Sequence, residues 1–223
     1  MKGAHYLGTL CVALALTTLA RAQGTPPAPT PPPATPASSS ADQPSWSYSL
    51  VTDGYIVPGG GSYVSPVFTA NHNWLHLEAR YNYEDQRTGS LWAGYNFNFG
   101  KTVKVGVTPM VGGVFGDLNG VAPGLELSLT WKRLSFSSSS EYVVDTSKTS
   151  DSFYYSWPEL TFNLLSWLDV GVVAQHTKAY HTPVDTQRGF LIGFTYKQWE
   201  FTTYVFNPDL SQPTTVLELG VNF

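Results

Sequence analysis

A set of charged side chains spread between residues 76 and 218 of this 223-residue chain shares one alternation phase. His76, Glu78 and Arg80 stand two apart, followed in the same phase of their own segments by Lys104, Glu126, Lys132, Glu141, Glu159, Asp169, Lys197, Glu200 and Glu218. Alternate residues of an extended chain face the same side. If these segments are strands of one closed sheet, the charges converge on one interior. Counted from the segment ends, Glu78, Glu126, Glu159 and Glu218 fall near mid-height, and Arg80 is the one strong base beside them. Lys104, Lys132 and Lys197 fall toward one mouth. Such a set can do two things. It can close into a hydrogen-bonded plug that holds a narrow barrel rigid, or it can form a negative waist around a water-filled path and concentrate cations there. Crowded carboxylates also disfavour one another's ionisation, so some are expected to hold protons above the ~4.3 usual for Glu. The sequence leaves both readings open.

Other chemistry is thinner. There is no Gly-x-Ser-x-Gly, no His-Glu-x-x-His and no phosphate-binding glycine loop. The glycines at 59–61 precede no helical pattern and read as a turn. His176 lies in the apolar phase near a strand end, with Ser138, Ser140 and Ser156 on other segments. A lipid-modifying hydrolase needs a serine beside that histidine and a third group to orient it, and nothing in the sequence supplies the arrangement. His176, His181 and Asp185 straddle a strand end and a loop. Strand phase sets the two histidines on different faces, whereas metal ligation needs three or four convergent groups. No catalytic residue, metal site, cofactor or nucleic-acid partner is expected.

The two ends bear on location. Lys2, the apolar run Leu7–Leu19 and Ala20-Arg21-Ala22 have the order of a secretory signal peptide cleaved after Ala22. About a dozen apolar residues fall short of the ~20 that a spanning helix needs. The only cysteine, Cys11, lies inside this segment after Thr9-Leu10 and lacks the small residues that precede a lipidated cysteine. The mature chain is therefore expected to have neither a disulfide nor a cysteine ligand. Residues 23–44, rich in Pro, Ala, Ser and Thr, read as a disordered polyproline-II linker in the periplasm. At ~3.1 Å per residue it can reach roughly 60 Å. It can serve as a tether toward peptidoglycan or a periplasmic partner, or be an inert spacer.

From residue 45 to 223 no helical period is sustained. Alternating segments recur at 46–54, 61–70, 72–83, 88–99, 102–115, 121–132, 133–145, 152–164, 168–180, 186–197, 198–206 and 213–223. Each approaches the ~9–11 residues of a tilted membrane-crossing strand. The expectation is an all-β, antiparallel up-and-down barrel of about twelve strands, or ten if the first two, broken by Pro58 and Pro66, fail. Gly100-Lys101, Lys132-Arg133, Ser166-Trp167 and Lys197-Gln198 read as tight turns. Glu84–Thr88, Gly116–Gly120, Asp145–Asp151, His181–Asp185 and Asn207–Gln212 read as longer loops.

The phase opposite the charges is apolar: Leu75, Leu77, Ala79 and Tyr81, then Leu125, Leu127, Leu129 and Trp131, then Phe190, Ile192, Phe194 and Tyr196, with Lys178 its only clear charge. A basic residue facing lipid at mid-membrane costs about 2–4 kcal/mol, so a bilayer selects this sorting. A soluble barrel would invert it. Pro109 and Pro158 argue against the boundaries, since a closed barrel has no edge for proline. Each is expected at a bulge or a strand end.

The last ten residues, Thr214-Thr-Val-Leu-Glu-Leu-Gly-Val-Asn-Phe223, alternate in the same way up to a terminal aromatic. This segment resembles the closing strand of bacterial outer-membrane β-barrels. The resemblance implies a location in the outer membrane of a Gram-negative cell, contact with outer-membrane lipid, and reading of Phe223 by the barrel-assembly machinery. The expected function is a porin-like channel for ions or small polar solutes that favours cations. The rivals are a non-conducting barrel anchoring the envelope and, third, a lipid-modifying enzyme.

The alternating connection lengths put 132–133, 166–167 and 197–198 in the periplasm, with 145–151 and 181–185 outside. A cysteine introduced at position 148 of the mature chain should react with an impermeant thiol reagent on intact cells, and one at 133 should not. The reverse labelling pattern would overturn this orientation.

Overall fold

The computed structural model describes residues 45–147, 152–179 and 182–223. The expected signal peptide, the expected linker at 23–44 and the loop positions 148–151 and 180–181, His181 among them, lie outside the described residues. Thirteen strands run through the described residues: β1 (Ser47–Ile56), β2 (Tyr63–His72), β3 (Leu75–Tyr81), β4 (Thr88–Tyr95), β5 (Phe97–Phe99), β6 (Lys104–Gly116), β7 (Gly120–Trp131), β8 (Leu134–Asp145), β9 (Phe153–Leu165), β10 (Leu168–Ala179), β11 (Asp185–Tyr196), β12 (Trp199–Phe206) and β13 (Thr214–Asn222). β4 and β5 are one crossing interrupted at Asn96. Gly94 pairs with Met110 and Phe97 with Val107 in a single register across the break. Twelve crossings therefore remain.

Every crossing is antiparallel to its sequence neighbour, β13 returns to β1, and β4 pairs with both β3 and β6, so the sheet closes on itself. The barrel is the twelve-strand all-β architecture that the alternation predicts. The ten-strand alternative fails because β1 and β2, despite Pro58 and Pro66, pair over nine positions.

Two-residue reversals occur at 73–74, 132–133, 166–167 and 197–198, and Asn73, Lys132 and Lys197 take positive φ of 55°, 54° and 57° in three of them. The Gly100 reversal is a correction. It occupies 100–103 rather than two residues, and Gly100 turns the chain at a φ of 90°. The charge near the apolar outer face, Lys178, is exposed at the loop end of β10.

The prolines correct a second expectation. Neither Pro109 nor Pro158 marks a bulge or a strand end. Pro109 keeps its pairing to Leu125 of β7, while the ladder on its other side lapses where β4 gives way to β5. Pro158 pairs with Ser138, and the β9–β10 ladder lapses between Glu159–Val173 and Ser156–His176 with no change of register. Pro123 sits in a similar lapse of β7–β8, and Pro66 lies just beyond the last β2–β3 pair. A residue without an N–H can keep one ladder and forgo bonds in the other, so each proline thins one seam instead of bending a strand. The bulge between β9 and β10 is elsewhere, at Leu168/Asp169.

The outer surface is apolar. Leu91, Val111, Val172, Phe190 and Leu217 project from it over the middle of the wall. Trp46, Trp74, Tyr95, Trp131, Trp167, Tyr196 and Phe223 form an aromatic belt at the end that carries both termini, and Tyr81, Phe115, Tyr142 and Tyr154 lie toward the other end. Two aromatic girdles around an apolar band are what lipid selects from a barrel.

Phe223 finishes the closure. Its N–H donates to Tyr48 O at 2.9 Å, its carbonyl accepts from Tyr48 N–H at 2.8 Å, and its ring stacks on that of Tyr48 at 5.9 Å. Deleting Phe223 removes all three contacts at the β1–β13 seam. The truncated chain is expected to reach the membrane in reduced amount, with signal cleavage intact and periplasmic precursor degraded. Fractionation and blotting of envelopes measure this, and unchanged membrane levels would contradict it.

Candidate functional site

Inside the wall the side chains form three layers. At the loop end, apolar and aromatic groups cluster: Tyr55, Val114, Leu118, Ala122, Val143, Phe153, Tyr155 and Phe206 are all buried. Trp157 meets Tyr204 and Phe206 edge-on, with centroids 5.4 and 5.0 Å apart. At the terminal end, Ser128, Thr130, Thr161, Asn163, Asp169, Glu200 and Asn222 are half-buried and polar, forming a vestibule. Between the two lies the acidic layer.

One part of that layer is built around Arg80 of β3, which is 4 % exposed. Its guanidinium lies between two rings, 4.2 Å from the centroid of Tyr83 and 4.4 Å from that of Trp92. Its Nε donates to Glu78 Oε2 at 2.6 Å, a second guanidinium nitrogen also meets Glu78, and Nη1 donates to Glu141 Oε2 at 3.0 Å. Glu84 Oε1 lies 3.9 Å from Nη1 and accepts from Ser90 Oγ at 2.5 Å and from Trp92 Nε1 at 3.2 Å. Two glycines make room for this stack, because a Cβ at Gly112 or Gly124 would collide with the Trp92 indole. The connection 82–87 dips into the barrel and buries Tyr83 and Glu84. Burial pushes the Glu84 carboxyl up from its ordinary value, while Arg80 and the hydrogen bonds from Ser90 and Trp92 pull it back.

The second part lies across the barrel. Asp53 of β1 and Glu218 of β13 are direct cross-strand partners, both buried. Like charges directly opposite destabilise a sheet. Glu218 Oε2 accepts from the Tyr204 hydroxyl at 3.2 Å and Glu159 Oε1 from Trp157 Nε1 at 2.6 Å. Both oxygens of Asp53, and one each of Glu84, Glu126, Glu141 and Glu218, have no hydrogen-bond partner among the described residues. His76 adjoins the Arg80 part, with Nε2 at 3.1 Å from Glu78 Oε1 and 3.9 Å from Glu126 Oε2.

Of the twelve charged positions taken from the sequence, His76, Glu78, Arg80, Glu126, Glu141, Glu159 and Glu218 are buried in this layer, and Asp169 and Glu200 are half-buried in the vestibule. Lys104 is exposed at the start of β6. Lys132 is not an interior residue at all: it occupies a two-residue turn, and its ammonium lies 5.0 Å from the outward-facing ring of Trp131. Lys197 does the same over Tyr196 at 5.4 Å. Asp53 and Glu84 were missed by the sequence reading. Asp53 sits in the irregular first segment, although its alternation with Val51 and Tyr55 carried the signal. Glu84 belongs to a stretch read as an outer loop.

On the outer face, register makes Ser140, Ser156, His176 and Thr186 successive cross-strand partners. A serine therefore does stand beside His176, which the sequence could not show. The His176 Nδ1 bond is nevertheless to the Thr186 hydroxyl, at 3.0 Å. No carboxylate orients the ring, and no Ser156–His176 hydrogen bond occurs among the described residues.

A closed antiparallel barrel with lipid-suited residues outside and charge inside is an outer-membrane β-barrel, and the outer membrane is its location. Among solved structures the chain resembles a KdgM porin, with a TM-score of 0.61, 15 % identity and coverage of 78 % of this chain and 99 % of that one. It also resembles a KdgM porin in complex with disordered oligogalacturonate, with a TM-score of 0.52, 14 % identity and coverage of 79 % and 98 %. At such identities the likeness is one of fold. No protein-family model and no curated protein matches the sequence.

Removing one partner of a buried ion pair costs about 3–5 kcal/mol, since the remaining charge stays uncompensated. Arg80→Met should therefore destabilise the folded barrel on that scale. Adding Glu78→Gln and Glu141→Gln to it should recover a large part. Urea unfolding in lipid vesicles, followed by tryptophan fluorescence, measures both, and equal stability of single and triple variants would contradict the hub role of Arg80.

Proposed function

We propose that the protein is a narrow outer-membrane channel of porin type for small cations and small polar solutes, with its acidic layer as the selective waist. The observation that carries this reading is the set of buried carboxylate oxygens on Asp53, Glu84, Glu126, Glu141 and Glu218 with no donor among the described residues. In a permanently dry plug each such group costs about 1–3 kcal/mol. Water and mobile cations in a conducting path supply the missing partners. Arg80 is the one strong base in the layer, so the net field there is negative and draws cations. The half-buried vestibule gives solvent a way to the layer from the terminal end. This sign does not suit a carboxylate-bearing sugar chain, so the oligogalacturonate of the structurally similar porin is not carried over.

A second reading, a non-conducting barrel that anchors the envelope, is favoured by the aromatic packing of Tyr155, Trp157, Tyr204 and Phe206 at the loop end. The enzyme reading has little support, because His176 lacks an orienting carboxylate.

Currents across planar bilayers separate the two main readings. The channel should show resolvable single-channel events and a cation-selective reversal potential in a salt gradient. That preference should weaken on acidification, as the carboxylates take up protons, and fall in the Glu126→Gln/Glu159→Gln protein. Anion selectivity, or a preference untouched by the double substitution, would sink the acidic-waist reading. The absence of current at any pH, with the same substitutions lowering stability, would favour the plug.

A further inference from the structure

His76, Glu78 and Glu126 come from β3 and β7, on opposite sides of the seam formed by β4 and β6, and their donor atoms all lie within 4.8 Å of one another. All three side chains are at most 5 % exposed. The tautomer of His76 is set by a chain of hydrogen bonds. Thr108 Oγ1 donates to Asn96 Oδ1 at 2.8 Å, and Asn96 Nδ2 donates to Asn71 Oδ1 at 2.8 Å. Asn71 Oδ1 is thus an acceptor, and the His76 Nδ1 at 2.9 Å from it carries the proton. Nε2 is then left with a lone pair, buried, without a hydrogen-bond donor and aimed between two carboxylates. Glu126 Oε1 has no partner either. A lone pair facing two carboxylates is repulsive unless something positive sits among them.

We propose that Nε2 of His76, Oε1 of Glu78 and Oε2 of Glu126 form a binding site for a divalent transition-metal ion of the zinc type, inside the barrel. A nitrogen and two carboxylate oxygens are donors that such an ion accepts, and three protein ligands leave a fourth position for water. Bonds of ~2.0–2.1 Å in tetrahedral geometry hold donor atoms about 3.3 Å apart. The 3.1 Å separation needs a slight widening and the 3.9 Å one a contraction of about half an ångström to reach that value. The outer contacts are also those of a ligand set. The second nitrogen of the histidine is tied to a carbonyl, and Glu78 is held through its other oxygen by Arg80. The nearby guanidinium does not forbid a cation. Glu78, Glu84, Glu126 and Glu141 outnumber Arg80 four to one when ionised, so a divalent ion lowers the net charge of the group from −3 to −1. The site does not depend on whether the barrel conducts.

The test uses the purified full-length barrel in detergent, stripped with a chelator and titrated with Zn2+ alone by calorimetry, and with Co2+ for its visible absorption. One ion per barrel is expected, with Co2+ giving the strong bands of low coordination number. Binding should be lost in His76→Gln and Glu126→Gln and weakened about 10–100-fold in Asn71→Ala, while His176→Gln binds as the parent does. Heat-modifiable gel migration shows which variants are folded. On the unaltered chain, Zn2+ should shift the ring-nitrogen resonances of His76 selectively, a readout that needs no variant. Absence of stoichiometric binding, binding that survives both ligand substitutions, or unmoved His76 resonances would overturn the site and leave a proton held between the three groups as its explanation.

Discussion

Hydrocarbon offers no hydrogen-bond partner, so every backbone group of a strand that crosses it has to be satisfied by the neighbouring strand. That constraint closes the sheet, and closure creates two faces with unrelated solvents. Outside, charge is excluded by its cost. Inside, charge is tolerated only where side chains can meet one another. The acidic layer follows from this. Asp53 and Glu218 can face each other across a seam because the interior, unlike the lipid, contains Tyr204, Trp157 and an opposing wall. The Arg80 stack likewise depends on strands far apart in sequence being drawn around one axis.

The same constraint explains how the prolines are accommodated. Pro66, Pro109, Pro123 and Pro158 each sit where one of two flanking ladders thins or ends and the other persists. At the break beside Pro109 the neighbouring Thr108 hydroxyl bonds the Asn96 side chain. That chain continues to Asn71 and His76, so the chemistry of the interior is tied to a defect in the wall.

Much of the wall was legible in the sequence because a period of two is a local property. The twelve crossings, their faces and three of the four predicted tight turns could be read from alternation and turn residues. What alternation cannot supply is the angular position of each strand around the barrel. His76, Glu78 and Glu126 share a phase, but their convergence depends on the β4–β6 seam and on strand stagger. Glu84 was hidden for another reason: a loop that folds back inside has no period to betray it. Lys132 failed in the opposite sense. Its phase was that of the interior, yet its positive φ in a two-residue turn carries the long side chain back over Trp131. The pairing of Ser156 with His176 across β9 and β10 was equally a matter of register.

The first strand enters the barrel at the same end at which the last one leaves it, and Ser47 begins pairing within a residue of where Phe223 is bonded to Tyr48. A pull transmitted through the residues ahead of Ser47, directed along the strand, therefore does not peel β1 away one bond at a time. It slides β1 against β2 and β13 together, and the nine and eight cross-strand pairs of those two seams bear the load in parallel. The point at which the chain enters the barrel is consequently loaded in shear, the mechanically resistant direction of a sheet, and the terminal aromatic clamps the end that would otherwise fray first.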